Sequence, residues 1–302
     1  ALKQQLRDSA RAMVPRLRTR ADQAAKLHQL PPENVQEMID AGFFKILQPA
    51  RWGGLELDPM DFFEVQMTVA EGCMSTAWVL GVVACHNWQL ALFDDRAQKD
   101  VWGEDDNTLI SSSYMPVGKV THVDGGYRLS GRWNFSSGSK HCKWVMLGGV
   151  VPPKTAGDAP DYRTFLVPIA DYRIVDNWDV SGLEGTGSHD SVVEDVFVPE
   201  YRTHRSIDGF LCDSPGNKLN TSPLYRLPFG QIFVRAVCSS SIGALQAALD
   251  SFIKINRDRV GLNDAKRVAQ DPDAQAAAAD ATNVIDECRT IMARNFDLMC
   301  EA

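Results

Sequence analysis

The sequence predicts an α+β protein, mainly α, in which helical segments lie on both sides of one β-rich segment. Apolar residues recur at helical spacing near both ends of the chain, whereas in the middle the spacing approaches two and Val, Thr, Tyr and Phe become frequent. We therefore expect a helical domain at residues 1–105, a β domain at 106–210 and a second helical domain at 211–302. The last domain is expected to be incomplete, because its final helix runs to Ala302 without an evident cap.

The first domain begins with two predicted helices. Ala1–His28 carries apolar residues at helical intervals with charged residues between them. A second helix is predicted to start after Pro31–Pro32 and to stop at Gly42, because proline favours the first turn of a helix and glycine its end. A loop containing Pro and Gly follows at Ile46–Asp58, and the next helical stretch is expected to break near Cys73–Ser75.

The longest apolar stretch of the chain is Ala77–Phe93. Three polar residues, His86, Asn87 and Gln89, interrupt it before it reaches the roughly 18 residues that a membrane-spanning helix needs. We therefore predict a helix buried inside the protein and no association with a membrane.

The β domain contains a hairpin signal and three further predicted strands. Asp124–Gly125 separates two segments of strand-like composition, and both residues tolerate the positive φ of a tight hairpin turn. Helical periodicity returns at about Ile232, after a loop rich in Gly, Pro, Asn and Ser. The further strands are predicted at Trp144–Val151, Thr164–Pro168 and Ser191–Val198.

The charge and the cysteine content exclude several classes of function. The net charge is −8, and Lys and Arg are scattered among Asp and Glu, so a face that neutralises nucleic-acid phosphates is not expected. The seven cysteines are odd in number and form no C-x-x-C pair, which favours reduced thiols in the cytoplasm over a disulfide framework or a metal site. The N-terminal stretch is amphipathic and lacks the apolar region of a signal peptide.

Motifs for common cofactors and hydrolytic chemistry are absent from the sequence. It contains no phosphate-binding G-x-x-x-x-G-K-[ST], no H-E-x-x-H, no G-x-S-x-G and no G-x-G-x-x-G between a strand and a helix. The segment Gly182–Ser188 has three glycines, but their spacing predicts a tight turn between strands. A cofactor, if one binds, is therefore not expected to sit on a Rossmann domain.

Four polar clusters are poorly explained by packing. Each alone has an ordinary interpretation, such as a hydrogen-bonded core histidine, a solvated strand edge, a serine-glycine turn or solvent-facing arginines. Together they place hydroxyl groups beside aromatic rings, which is what a flat, polar, redox-active ring needs, and this combination predicts a flavin. The members are Trp78 and His86; Ser111, Ser112 and Ser113; Phe135, Ser136 and Ser137; and Arg257 and Arg259.

Several segments resemble a known family. GLEGTGSHDSVVEDVFVPE (Gly182–Glu200), together with the order of helical and β domains, resembles the acyl-CoA dehydrogenase superfamily. CHNWQLALF, VWGEDDNTLISSSYMPVG and WNFSSGSKH resemble the oxygenase components of its two-component flavin-dependent aromatic monooxygenases. The resemblance implies an acyl-CoA dehydrogenase-like fold with a helical N-terminal domain, a β-barrel-like middle domain and a C-terminal helical bundle, truncated here, that assembles a homotetramer.

The same resemblance implies an activity. It implies a flavin-dependent monooxygenase that uses O2 and reduced FMN or FAD, supplied by a separate NAD(P)H-flavin reductase. The oxygenase would hydroxylate an aromatic, phenolic small molecule through a flavin C4a-hydroperoxide. The identity of the substrate and the choice between FMN and FAD stay open at this point.

The resemblance also assigns roles to residues. It places His86 near the phenolic oxygen of the substrate, Ser112 in a hydrogen bond to the same oxygen, and Ser137 opposite flavin N5. The C-terminal Arg-Asp-Ala-His segment of the family, whose histidine also lines the site, is not in this sequence. The resemblance also implies contacts with the flavin ring from Trp78, Ser111, Ser113, Phe135 and Ser136. It implies that Arg257 and Arg259 reach a flavin phosphate in a neighbouring subunit, although the segment DRVGLND is less basic than the family pattern.

Chemical reasoning supports these roles and leaves two alternatives. A hydroxyl held at N5 in a pocket without water opposes loss of peroxide, and a neutral imidazole that accepts the phenolic proton activates the ring. An acyl-CoA dehydrogenase is the first alternative, but it carries Thr-Glu-Pro and Trp-Ile-Thr segments where this chain has Tyr114–Pro116 and Phe135–Ser137. A helical scaffold is the second, and it leaves the polar clusters without a role.

Overall fold

The protein is described by a computed structural model that covers residues 1–153, 155, 157, 159–261 and 267–301. Within these residues, five helices precede the strands and three follow them. The helices are α1 (Leu2–Leu27), α2 (Pro32–Asp40), α3 (Pro59–Gly72), α4 (Met74–Leu90), α5 (Asp95–Trp102), α6 (Ser206–Leu211), α7 (Phe229–Asn256) and α8 (Pro272–Glu301).

The strands form one mixed sheet. Its order is β5-β6-β2-β1-β3-β4-β7, and β1 and β3 run parallel while the other neighbouring pairs are antiparallel. The strands are β1 (Ile110–Val123), β2 (Gly126–Ser136), β3 (Trp144–Val151), β4 (Asp161–Pro168), β5 (Arg173–Val175), β6 (His189–Pro199) and β7 (Thr203–Arg205).

The sheet curves around its own core, as the barrel-like prediction requires. In a flat sheet β2 and β4 would lie about 14 Å apart, because two strands separate them at about 4.8 Å per step. The rings of Tyr127 on β2 and Phe165 on β4 are nevertheless only 5.6 Å apart. Trp133 and Val193 join them in one buried apolar cluster, so both halves of the sheet cover the same core.

Most of the predicted elements are confirmed with small shifts at their ends. The hairpin turns at Asp124–Gly125, and β3 has the predicted bounds. Helix α3 ends at Gly72 and α4 begins at Met74, where the break was expected. Strand β4 begins three residues before the predicted start at Thr164, because Asp161 and its two successors continue the pairing with β3.

Helix α4 is the buried helix that the sequence predicts, and it is covered by α3 and α7. A Cβ atom on Gly81 of α4 or on Gly243 of α7 would collide with the backbone of the facing helix, so glycine allows this close packing. By length and composition α7 could itself cross a membrane, because a stretch of 18 of its residues has a mean hydropathy of 1.5. About 33% of that stretch is buried inside the protein. Its contact with α4 carries Phe233 and Val237 towards the sheet.

Candidate active site

One face of α4 supplies a row of candidate residues. Trp78, Val82, His86 and Gln89 follow each other at intervals of three or four residues, so they point in similar directions. Trp78 and Val82 line a cavity of about 360 Å³ between α4, α7 and the ends of β1 and β2. This volume is within the range of small-molecule sites.

A distortion of β2 shapes this cavity. The pairing of β2 with β6 shifts between Trp133 and Ser136, and Phe135 lies in this bulge with φ 64°. Bulges re-aim side chains near functional sites, and a left-handed phenylalanine is uncommon enough to indicate a functional constraint. The ring of Phe135 is 65% exposed and lies edge-to-face with Trp178 at 6.0 Å, at the rim of the cavity.

The turn after β2 brings Ser137 into the cavity. Gly138 has φ 69°, and a Cβ there would lie 2.8 Å from the side chain of Val79, so glycine lets the turn lie against α4. Ser137 lines the cavity and accepts a hydrogen bond from the indole N–H of Trp78 at 3.1 Å. The predicted pair Trp78 and Ser137 therefore meets at one point of the wall.

Two hydroxyl groups that the sequence analysis did not select extend this contact. Ser137 Oγ lies 2.7 Å from Ser188 Oγ, which lies 2.7 Å from Thr186 Oγ1. Thr186 Oγ1 in turn donates to the carbonyl of Leu183 at 3.0 Å. Both residues belong to the glycine-containing segment that was interpreted only as a turn; the signal was its two hydroxyl residues on either side of Gly187.

The serine triplet of β1 divides between the cavity and the core. Ser112 and Ser113 line the cavity, and Ser113 Oγ donates to the carbonyl of Asn134 at 2.7 Å. Ser111 is fully buried and does not line the cavity, and the same holds for Ser136 at the end of β2. Of the three serines predicted beside the flavin ring on these two strands, Ser113 lines the cavity and Ser111 and Ser136 do not, and Ser112, predicted at the substrate oxygen, lines it too.

His86 is buried in a defined protonation state. Its Nδ1 lies 2.6 Å from the carbonyl of Ile110, and because a carbonyl only accepts, Nδ1 carries the proton and Nε2 presents a lone pair. Nε2 has no partner among the described residues. Burial lowers the pKa of His86 from 6.5 to about 4, although the bond to Ile110 opposes this shift, so the ring is neutral at pH 7.

A second, smaller cavity lies beyond the first. It has a volume of about 110 Å³, and Tyr114 and Phe233 line both cavities, so these two rings separate them. The hydroxyl of Tyr114 donates to Gln89 Oε1, and its ring centre is 6.0 Å from that of His86. His86 lines neither cavity and lies behind this partition.

The second cavity also contains a buried histidine. His204 is 2% exposed, its Nε2 lies 2.8 Å from Ser214 Oγ, and its Nδ1 has no partner among the described residues. Burial lowers the pKa of His204 to about 4. Together with Gln89 and Thr164 it gives an otherwise aromatic cavity a polar side.

Two neutral buried histidines should make folding sensitive to acid. An unfolded chain binds a proton at each histidine near pH 6.5, whereas the folded chain binds it only near pH 4, so the stability falls as pH decreases through this window. At the lower end of this pH window, each histidine should have lowered the free energy of unfolding by ~3 kcal/mol. Urea unfolding at pH 7 and pH 5 should therefore differ less in His204→Gln than in the wild type, and equal pH dependence would contradict the assignment.

The two predicted arginines lie elsewhere in the protomer. Arg257 and Arg259 are exposed at and beyond the end of α7, and neither lines the cavity that contains Ser137. Their role at a flavin phosphate through a neighbouring subunit stays a prediction.

The residues of the first cavity fit a flavin ring. The lining is mainly apolar and aromatic, with Trp78 and Phe135 at its sides and a few hydroxyl groups at fixed positions. After its bonds to Trp78 and Ser188, the hydroxyl of Ser137 has one hydrogen-bonding position left for the edge of a ring. The site would thus bind the ring by its faces and by one polar edge.

Comparison with known proteins agrees with this site. The N-terminal domain of acyl-CoA dehydrogenases matches residues 2–105. The oxygenase subunit HsaA of a flavin-dependent monooxygenase from Rhodococcus jostii (strain RHA1) is 41% identical over 276 residues, which cover 91% of this chain and 72% of the relative. The oxygenase component of an FADH2-dependent resorcinol hydroxylase from Rhizobium sp. (strain MTP-10005) is 32% identical over 284 residues, which cover 92% of this chain and 69% of the relative.

The structural comparison leads to the same group. The crystal structure of 3-HSA hydroxylase from Rhodococcus sp. RHA1 superposes with a TM-score of 0.91 at 38% identity, covering 98% of this chain and 76% of that chain. The predicted acyl-CoA dehydrogenase-like fold and the predicted resemblance are thus confirmed. The chain belongs to the family of flavin-dependent monooxygenase oxygenase subunits, which are built on the acyl-CoA dehydrogenase fold.

Proposed function

We propose that this oxygenase subunit hydroxylates an aromatic, phenolic small molecule, using O2 and a reduced flavin delivered by a separate NAD(P)H-flavin reductase. The observation that carries the proposal is the state of His86: a neutral, buried imidazole whose Nε2 lone pair has no partner among the described residues. The free Nε2 lone pair can accept the hydrogen bond of a phenol hydroxyl, although a pKa of about 4 makes this imidazole a weaker base than one that titrates near pH 7. The relative named as a resorcinol hydroxylase acts on a phenol, which supports the same substrate class.

The residues around the cavity have separate roles in this reaction. A bound reduced flavin supplies the electrons and the site at which O2 is activated. Trp78 and Phe135 would pack against its faces, and Ser137 would pair with its edge. Ser112 orients the phenolic oxygen, and His86 accepts the phenolic proton, which raises the electron density of the ring that is attacked.

The substrate must reach His86 past Tyr114. His86 lines neither cavity, and Tyr114 lies between the two with its ring 6.0 Å from His86. We propose that the substrate ring enters from the first cavity by displacing Tyr114, and that the 110 Å³ cavity takes a substituent of the ring. The dissociation constants of substrates with and without a substituent opposite the reacting carbon test whether the second cavity takes that substituent.

The direct test is a reaction with reduced flavin. The protein is mixed without oxygen with reduced FMN or reduced FAD, and oxygenated buffer is added with a panel of phenols. We expect a product that gains one oxygen atom, detected by mass, and little reaction with the methyl ether of the same phenol because it has no proton for His86 to accept. Failure to bind either reduced flavin, or oxidation of acyl thioesters in place of oxygen insertion, would overturn the proposal.

Three finer features are part of the same proposal. We propose a homotetramer, supported by exposed apolar side chains on α7 and α8 such as Val234 (47%), Ile255 (64%) and Leu298 (58%), and light scattering tests it. We propose that Arg257 and Arg259 contact a flavin phosphate through a neighbouring subunit, which titration of FMN and FAD into charge-neutral variants tests. We propose a cytoplasmic location, from the odd and scattered cysteines, and fractionation of cells tests it.

A further inference from the structure

The hydroxyl groups next to Ser137 form a chain in which each contact can take either direction of donation. The direction depends on Thr186, whose hydroxyl lies 3.0 Å from the carbonyl of Leu183, an oxygen that also accepts from the indole N–H of Trp178 and the backbone N–H of Thr186. A Thr186 hydroxyl that gives its one proton to this carbonyl has none left for Ser188. Thr186 Oγ1 must then accept from Ser188, and Ser188 Oγ must accept from Ser137. Thr186 and Ser188 are 1% and 4% exposed, so bulk water does not replace their partners, whereas Ser137 faces the cavity.

The direction of this chain decides what Ser137 offers to the cavity. When Thr186 donates to Leu183, the proton of Ser137 points to Ser188, and one of its two lone pairs accepts the indole N–H of Trp78 at 3.1 Å, an N–H that can only donate. The remaining lone pair is the only hydrogen-bonding capacity of this hydroxyl that is left. With this direction of donation, Ser137 meets a ligand as an acceptor and not as a donor.

We propose that Thr186 and Ser188 are positioning residues that make the site selective for the reduced flavin by fixing the proton of Ser137. Reduced flavin carries an N–H at N5, which pairs with an acceptor, whereas oxidised flavin has a bare N5 lone pair, which would face the lone pair of Ser137. This inference rests on the proposed function, because it takes the ligand to be a flavin with N5 at Ser137. It explains how an oxygenase without its own reductase can take up reduced flavin and release the oxidised form.

The test measures the ratio of the dissociation constants of oxidised and reduced flavin. FMN and FAD are titrated into the protein in oxidised form and, without oxygen, in chemically reduced form, for the wild type and for Ser188→Ala and Thr186→Val. Both substitutions free the proton of Ser137 to turn into the cavity, so the preference for reduced flavin should fall about tenfold, the value of one hydrogen bond. The midpoint potential of the bound flavin should fall by about 30 mV, which is that tenfold change for a two-electron couple.

Matched variants separate positioning from damage to the fold. Ser188→Thr and Thr186→Ser keep the hydroxyl groups and should keep the wild-type ratio. Ser139→Ala removes another buried serine hydroxyl of the same region, which has only a 3.5 Å contact to the carbonyl of Gly187. This variant should also keep the wild-type ratio of dissociation constants. An unchanged ratio in both Ser188→Ala and Thr186→Val, or an equal loss in the hydroxyl-retaining variants, would overturn the inference. Failure of the wild type to bind either form would instead overturn the proposed function.

Discussion

Replacing His86 by asparagine is expected to lower the rate of hydroxylation by about 10²–10⁴-fold, the usual value of proton-transfer catalysis, with reduced-flavin binding nearly unchanged. Asparagine is the sharpest replacement, because its amide nitrogen takes the place of Nδ1. It can thus still donate to the carbonyl of Ile110, 2.6 Å from Nδ1 in the wild type. What it removes is the Nε2 lone pair. Single-turnover product formation and an anaerobic flavin titration measure the two effects separately.

The acidity of the substrate provides the control for this prediction. If His86 takes the phenolic proton, a phenol that is already ionised at the assay pH does not need it, and His86→Asn should cost much less with such a substrate. Within the pH range in which the wild type stays folded, its rate should not depend on protonation of His86, whose pKa is about 4. An equal loss with neutral and ionised phenols would show that His86 only supports the structure.

The elements that depend on local patterning could be predicted from the sequence. Ala77–Phe93 is apolar nearly all round, which only a buried helix satisfies, and Asp124–Gly125 specifies its own turn. The sequence could also select Trp78 and Ser137, because a hydroxyl beside aromatic residues is unusual in a core. It could not show that they touch, since that contact joins α4 to a turn 59 residues later.

The hydroxyl chain could not be predicted, and the reason is the sheet. Thr186 and Ser188 approach Ser137 only because β6 pairs with β2 and sets Ser136 opposite His189. The glycine spacing of their segment indicates a turn but says nothing about which strand lies next to it. Gln89 and Tyr114 were missed for a similar reason, because their hydrogen bond joins α4 to β1 and appears in no single segment.

Removing the hydroxyl of Ser137 is expected to divert the reaction from hydroxylation to release of hydrogen peroxide. In Ser137→Ala the flavin edge loses its acceptor, and the indole N–H of Trp78 and the hydroxyl of Ser188 lose a partner as well. The hydrogen bond to the flavin edge is worth about 1.4 kcal/mol, so peroxide formation should become about tenfold faster relative to hydroxylation. The measurement is the yield of peroxide and of product per flavin oxidised.

Two variants decide whether the hydroxyl of Ser137 itself is responsible. Ser137→Thr retains an oxygen that can accept from Trp78 and donate to Ser188, so most of the coupling between flavin oxidation and hydroxylation should return. Ser139→Ala, which removes a buried hydroxyl two residues further on, should keep the peroxide yield of the wild type. If Ser137→Ala gave no more peroxide than Ser139→Ala, the hydroxyl would have no part in protecting the reduced flavin, and other residues of the cavity wall would have to provide that protection.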